Sequence, residues 1–206
     1  MASEPHRRLS IPEYLVLERR SEERHEYLDG EMFAMSGASR RHNRIVLNIG
    51  KGLDSALEDR GCEVFVSEMR VLTPDNKFFT YPDVVAVCGE PQFADAEVDT
   101  LLNPDVIIEV LSPSTEDYDR GPKFAHYRSI PSLREYVMVA QDRVQVEHYL
   151  RQPNDDWLPL ADLDDLGQTL ELRSVGCSLS LAAIYRRVFK PMPASGAGRL
   201  LAAMPR

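Results

Sequence analysis

The stretch Asn103-Pro-Asp-Val-Ile-Ile-Glu-Val-Leu-Ser-Pro-Ser-Thr115 decides the fold of this chain. Its centre, 106–111, is a short apolar run rich in β-branched residues and bounded by a proline on each side. Such a run predicts a strand buried on both faces of a sheet. One carboxylate, Glu109, interrupts it, and a charge at a buried position is unfavourable unless it is paired or binds a cation. The pattern therefore predicts either an ion-paired acid or a cation ligand.

A second acid, Asp83, begins a similar apolar run that continues to Val87. Enough residues separate Asp83 from Glu109 for one strand, a loop and a neighbouring strand. On adjacent strands the two carboxylates could share a Mg²⁺ ion, which in proteins takes one or two carboxylates plus substrate phosphate. Such an ion activates water and neutralises charge on a phosphorus centre. The pair predicts a site for phosphodiester hydrolysis.

Length and composition indicate one globular domain, which we place at residues 9–190, followed by a loosely ordered tail at 191–206. We find no apolar stretch of membrane-spanning length and no signal-peptide core, so we expect a cytoplasmic protein. The net charge of −9 argues against a protein that binds nucleic acid over its whole surface, although it allows a local basic surface. The arginines Arg40, Arg41 and Arg44 are predicted to lie on a solvated helix face.

Three cysteines, Cys62, Cys88 and Cys177, are widely spaced and each lies in an apolar context. This spacing is typical neither of a disulfide framework nor of a zinc site. We predict three buried free thiols.

The N-terminal third contains clear helix and hairpin signals. Ser10, Pro12 and Glu13 predict a capped helix start. Asp29-Gly30 predicts a two-residue hairpin turn, which places Glu31 at the start of the second strand. A long amphipathic helix follows Ser39, with His42 on its apolar stripe.

Further strand segments and a short helix near Pro122 follow this long helix. The order of elements predicts an α/β fold, an α+β arrangement with one mixed sheet and its acids gathered on the middle strands.

These motifs resemble the Uma group of putative restriction endonucleases, part of the PD-(D/E)xK nuclease-like superfamily. The resemblance rests on Pro82-Asp83, on the string Ile107-Ile-Glu-Val-Leu-Ser-Pro-Ser-Thr115, and on Asp119-Arg-Gly-Pro-Lys123 with Tyr127. Leu28-Asp-Gly-Glu31 and the segment 36–43 resemble the N-terminal signature of that group. The resemblance implies a restriction-endonuclease-like core, a mixed four-stranded sheet flanked by helices, here with extra β-hairpins. It also implies Mg²⁺ as cofactor, with Mn²⁺ able to substitute, DNA as substrate, and a homodimer.

One position departs from the superfamily pattern, because Leu111 stands where the lysine two residues after the acid is expected. Lys123 is the natural substitute, since its side chain could reach back from the next helix. We therefore predict that Asp83 and Glu109 hold the metal and that Lys123 assists the attacking water. Glu31 and His42 are predicted to complete the pocket.

Two alternative functions are compatible with parts of the sequence. The same fold could be a non-catalytic module that binds nucleic acid or a protein, with the acids in structural ion pairs. Glu109 and Lys123 would then be partners of each other. A hydrolase with a serine or cysteine nucleophile is disfavoured because the chain contains no nucleophile-elbow pattern.

Overall fold

The structure is a computed structural model that describes residues 8–35, 37–74, 77–160 and 162–189. Two larger sheets share a hydrophobic cluster, a long helix and an N-terminal helix cover their other faces, and a two-stranded sheet packs beside the long helix. The helices are α1 (Ile11–Glu18), α2 (Arg40–Leu57), α3 (Glu116–Tyr118), α4 (Phe124–Tyr127) and α5 (Leu181–Ile184). The strands are β1 (His25–Leu28), β2 (Glu31–Ala34), β3 (Cys62–Val66), β4 (Arg70–Leu72), β5 (Phe78–Thr80), β6 (Val84–Cys88), β7 (Thr100–Leu101), β8 (Val106–Leu111), β9 (Glu135–Ala140), β10 (Val146–Arg151), β11 (Trp157–Pro159), β12 (Thr169–Leu172) and β13 (Cys177–Ser180).

The larger sheet is mixed and has the strand order β11-β10-β9-β8-β6-β3. Only β8 and β9 pair in parallel within it, and the other neighbours are antiparallel. All six residues of β8 are buried. Ile108 packs in the cluster that α2 covers, and Ile107 packs in the cluster on the opposite face. The predicted burial of this strand on both faces is confirmed, in a sheet of six strands instead of four.

The smaller sheet has the order β2-β1-β5-β4-β7. The predicted hairpin forms its edge, with Leu28 opposite Glu31 across the Asp29-Gly30 turn. Helix α1 covers one face through Tyr14. Its N-terminus has the predicted capping box, in which the Ser10 side chain accepts from the Glu13 N–H and the Glu13 carboxylate accepts from the Ser10 N–H.

The segment 78–88 is divided between the two sheets. β5 belongs to the smaller sheet and β6 to the larger, and Tyr81-Pro82-Asp83 connects them. Proline has no N–H to donate to a ladder, which is why pairing stops at this point. Asp83 therefore lies where the chain crosses from one sheet to the other.

Helix α2 begins at the predicted cap, where the Ser39 hydroxyl accepts from the His42 N–H at 3.1 Å. Its apolar face packs on the larger sheet and on the β12–β13 hairpin. A Cβ at Gly52 would lie 2.7 Å from a methyl group of Leu179, so this glycine permits the close approach of helix and hairpin.

The prediction of three free thiols was wrong. Cys62 and Cys88 lie directly opposite each other on β3 and β6 and form a disulfide, and Cys177 is the free cysteine. Their sequence separation of 26 residues hid this proximity, which depends on the register of two strands. Towards the C-terminus, β11 pairs with β10, and β12 pairs with β13 in a separate two-stranded sheet.

Within the described residues, no helix is long and apolar enough to cross a membrane. The C-terminal end of the proposed single domain and the predicted tail at 191–206 lie outside the described residues.

Candidate active site

Glu109 lies at the centre of the candidate site. It projects from β8 on the same face as Ile107 and Leu111, and only 3% of it is exposed. Its Oε1 accepts a hydrogen bond from the Tyr127 hydroxyl at 2.8 Å and lies 2.9 Å from Lys123 Nζ. The acid predicted inside the strand is therefore buried and has polar partners.

Asp83 is next to Glu109, as the adjacency of β6 and β8 predicts. The Asp83 N–H points to Glu109 Oε2 at 3.4 Å, and Asp83 Oδ2 accepts from the Val110 N–H at 2.7 Å. His42 Nε2 lies 3.2 Å from the same Oδ2. The ring's other nitrogen, Nδ1, is buried and has no hydrogen-bond partner in the part of the chain that the structure describes.

Lys123 comes from an irregular helical segment that joins β8 to β9. Within it, Asp119–Lys123 forms a π-helical turn that contains Pro122. Because proline lacks an N–H, an ordinary α-helical hydrogen bond is lost at this position. Single π turns inside helices are frequent at functional sites. The segment places Lys123 and Tyr127, one helical turn apart, against the same carboxylate oxygen.

Glu26, which the sequence analysis missed, is the third acid of the site. Its Oε1 lies 3.2 Å from Lys123 Nζ, and its carboxylate accepts hydrogen bonds from the hydroxyls of Thr80 and Tyr118. The predicted residue, Glu31, lies two positions further along the hairpin, which is about 7 Å toward the turn. It is exposed and does not line the cavity around the other acids. The structure thus replaces Glu31 with Glu26 in the candidate site.

Asp119 is the fourth acid of the site and is buried, as Glu109 is, whereas Glu26 and Asp83 are half-buried. Its Oδ1 lies 3.6 Å from Lys123 Nζ. Together these side chains line a cavity of about 810 Å³ between the β1–β2 hairpin, the start of α2 and the end of β8. Its lining includes the following charged or titratable side chains: Glu23, Arg24, Glu26, His42, Glu68, Asp83, Glu109, Asp119 and Lys123. Negative charge is in excess, and Lys123 contacts three of the carboxylates.

Burial and the neighbouring charges together shift the pKa values of the groups in this cavity. Burial raises the pKa of Glu109 to about 8, with Lys123 opposing the rise and Asp83 adding to it. Burial also raises the pKa of Asp119. Burial alone would lower the pKa of Lys123, but the surrounding acids, Glu109 foremost, raise it well above its ordinary value. Each of these shifts favours the protonated form of its group and so lowers the net negative charge of the cavity.

A pH dependence of stability follows from the Glu109 shift. In metal-free buffer with EDTA, the folded protein holds one more proton on Glu109 than the unfolded chain does between the ordinary pKa of 4.5 and the raised value of about 8. Unfolding free energy therefore falls as the pH rises through this window, by at most about 1.4 kcal/mol per pH unit from this group. Summed over the window, the effect lowers the melting temperature at its upper end by roughly 10 °C.

Glu109→Gln, which cannot ionise, should reduce this difference when both proteins are melted across the same pH series. An identical pH profile for wild type and Glu109→Gln would contradict the assignment of the effect to this carboxyl.

The donor set is chemically suited to a hard divalent cation. Lys123 and Tyr127 occupy Glu109 Oε1, whereas Oε2 receives only the long contact from the Asp83 N–H. No grouping of three or more His, Cys, Asp or Glu side chains that could hold a metal is found among the described residues. Mg²⁺ usually keeps several waters and takes only one or two carboxylates from the protein. Asp83 and Glu109 are two neighbouring carboxylates, which is the number that such an ion usually takes from a protein.

The architecture is that of a nuclease fold. A solved structure of a putative nuclease from Anabaena variabilis superimposes with a TM-score of 0.68, covering 86% of this chain and 97% of that one at 18% identity. This likeness concerns the fold alone.

The chain belongs to the Uma2 family, described as putative restriction endonucleases, which it matches over residues 11–183. It is also similar to two uncharacterized proteins of Synechocystis. One, sll1609, is 38% identical over 80% of this chain and 91% of its own length. The other, slr1290, is 36% identical over 89% of this chain and 95% of its own length. The resemblance noted in the sequence is confirmed at the level of the family.

Proposed function

We propose that this chain is a DNA endonuclease that depends on a divalent cation, Mg²⁺ or, in its place, Mn²⁺. The observation that carries the proposal is the excess of buried and half-buried carboxylates around Lys123, in a cavity of a nuclease-like fold. Like charges at this density are costly to bury unless a cation joins them. Membership of a family of putative restriction endonucleases supports phosphodiester hydrolysis as the reaction.

Asp83 and Glu109 would hold the cation. When bound, such an ion lowers the pKa of water and neutralises charge that develops on phosphate oxygens. His42, beside Asp83 Oδ2, and the Val110 N–H fix the orientation of that carboxylate. Tyr127 does the same for Glu109 by donating to Oε1.

Lys123 acts as a positively charged hydrogen-bond donor. Its raised pKa keeps it an ammonium at neutral pH, so it cannot accept the proton of the attacking water. From its position among the acids it can orient that water and stabilise negative charge on the phosphorus centre. Glu26 and Asp119 hold the ammonium in place by flanking Nζ.

DNA as substrate is supported by cations at the rim of the acidic cavity. Arg24 lines the cavity, and Arg40 and Arg41 are exposed beside Ser39 and His42, which also line it. Contacts of this kind position a phosphate backbone without reading sequence. Each chain contains one such site, so cleavage of both strands would require two copies, and we include a homodimer in the proposal on this ground.

A non-catalytic binding module is the alternative, and one observation favours it. Lys123 is already paired with Glu109 at 2.9 Å, as a purely structural ion pair would be. In that case the acids would need no cation, and adding one would change neither stability nor any reaction.

The proposal is tested by titrating Mg²⁺ and Mn²⁺ into the protein while following the melting temperature and the cleavage of supercoiled plasmid. We expect each cation to raise the melting temperature, because it binds the folded site and not the unfolded chain. Nicked plasmid should form in parallel, and linear plasmid too if two copies act together. EDTA should reverse both effects. A melting temperature that no cation changes, together with intact plasmid, would reject the nuclease and favour the binding module.

A further inference from the structure

A half-exposed aromatic side chain lines the acidic cavity. Phe33 on β2 is 48% exposed and lines this cavity, as do its neighbours Ala34 and Met35. It belongs to none of the three hydrophobic clusters formed by the described residues. A half-exposed phenylalanine on an edge strand contributes little to the stability of the fold. Exposed apolar side chains next to a cavity often mark a binding surface.

The register of the hairpin fixes where Phe33 points. It lies directly opposite Glu26 in the antiparallel β1–β2 pair. Directly opposite residues project from the same face of a sheet, about 5 Å apart. Glu26 in turn lies 3.2 Å from Lys123 Nζ. The ring is thus one strand away from a carboxylate that contacts the central lysine.

The shape of the site restricts what can reach it. Glu109, Asp119 and Lys123 are all buried at the base of the cavity. A cavity of about 810 Å³ has the size that encloses a small ligand, whereas a DNA duplex is far larger. A phosphodiester that enters it would come most readily from a strand whose neighbouring bases are unpaired. Such bases stack on exposed aromatic rings, with a typical gain of about 1–3 kcal/mol per base.

We propose that Phe33 is a stacking platform for an unpaired base next to the phosphodiester that enters the site, so that the chain prefers single-stranded DNA to duplex. This inference rests on the proposed nuclease function and adds the form of its substrate. The stacking partner is a base of the bound strand, and the ring contributes to binding instead of to the chemical step.

The first test measures binding without cleavage, in full-length protein carrying Asp83→Asn. The probe is a labelled oligonucleotide of mixed sequence, single-stranded or annealed to its complement, followed by fluorescence anisotropy. Adding Phe33→Ala should weaken single-strand binding by about 5- to 100-fold, which is the range that the loss of one stacked base implies. Duplex binding should stay the same. Phe33→Leu, which keeps an apolar side chain without a ring, should weaken single-strand binding as well.

The matched control is Leu158→Ala, because Leu158 on β11 is also 48% exposed and lies outside the cavity. It should leave both affinities unchanged. A second readout is the fluorescence of Phe33→Trp, which single-stranded DNA should quench and duplex should not. Equal binding of single strands by Phe33→Ala and its parent, or an equal loss on duplex, would overturn the inference. The nuclease proposal would survive either result if cation-dependent cleavage persists, whereas wild type that cleaves neither plasmid nor single-stranded DNA with Mg²⁺ or Mn²⁺ would end both.

Discussion

Asp83→Asn is expected to lower cation-dependent cleavage by about 10³-fold while leaving the fold intact. The carboxylate is the part of Asp83 that a cation needs, and replacing it with an amide removes one charged ligand from the proposed site. An asparagine oxygen can still accept the Val110 N–H bond that anchors this side chain. The melting temperature in EDTA should therefore not fall, and its increase on adding Mg²⁺ should disappear.

Glu31→Gln is the matched control for this result. It also neutralises one acid, but the acid is exposed at the turn of the hairpin and does not line the cavity. We expect wild-type cleavage and wild-type stabilisation by Mg²⁺. Cleavage that Asp83→Asn does not reduce would show that the activity has another source, either another site or a contaminating nuclease.

Lys123→Met is expected to be the most destabilising single change in the site. It removes the ammonium shared by the buried Glu109 and Asp119 and the half-buried Glu26. Removing one partner of a buried ion pair typically costs about 3–5 kcal/mol, which corresponds here to a melting temperature roughly 10 °C lower. Cleavage should fall by at least about 100-fold under conditions where the variant is fully folded.

A double variant separates the two roles of Lys123. Adding Glu109→Gln to Lys123→Met removes one of the unpaired charges, so part of the lost stability should return, while cleavage should not. Arg128→Met changes an exposed cation just after the same helical segment and should alter neither property. If Lys123→Met were folded and as active as wild type, the lysine would have no part in the reaction and its role would be structural.

The two metal-binding candidates could be found from sequence because their signal is local. A charge within an apolar strand, as at Glu109, and an acid at the head of a second strand, as at Asp83, each stand out within a few residues. The correct adjacency of their strands followed from the short separation along the chain. Lys123 could be proposed for a similar reason, since it follows Glu109 by fourteen residues on the next helix.

The other features depend on contacts between distant segments. Glu26 enters the site because β1 pairs with β5, which brings it to Thr80, 54 residues away. Nothing near Glu26 in sequence distinguishes it from Glu31, and the hairpin turn made the latter more conspicuous. The disulfide between Cys62 and Cys88 likewise depends on strand register. If one strand slipped by one residue, the two cysteines would no longer lie opposite each other.

The division of the site between two sheets has a consequence for the order of folding. Glu26 belongs to the smaller sheet, Glu109 to the larger, and Asp83 to the connection between them. Neither sheet alone can assemble the acidic cavity, because contacts such as that of Tyr118 with Glu26 span 92 residues. Long-range contacts of this kind form late, after the entropy of closing large loops has been overcome. A chain in which only one of the two sheets has folded would therefore lack the acidic cavity. Under the proposed function, such a chain would not cleave DNA until both sheets had packed together.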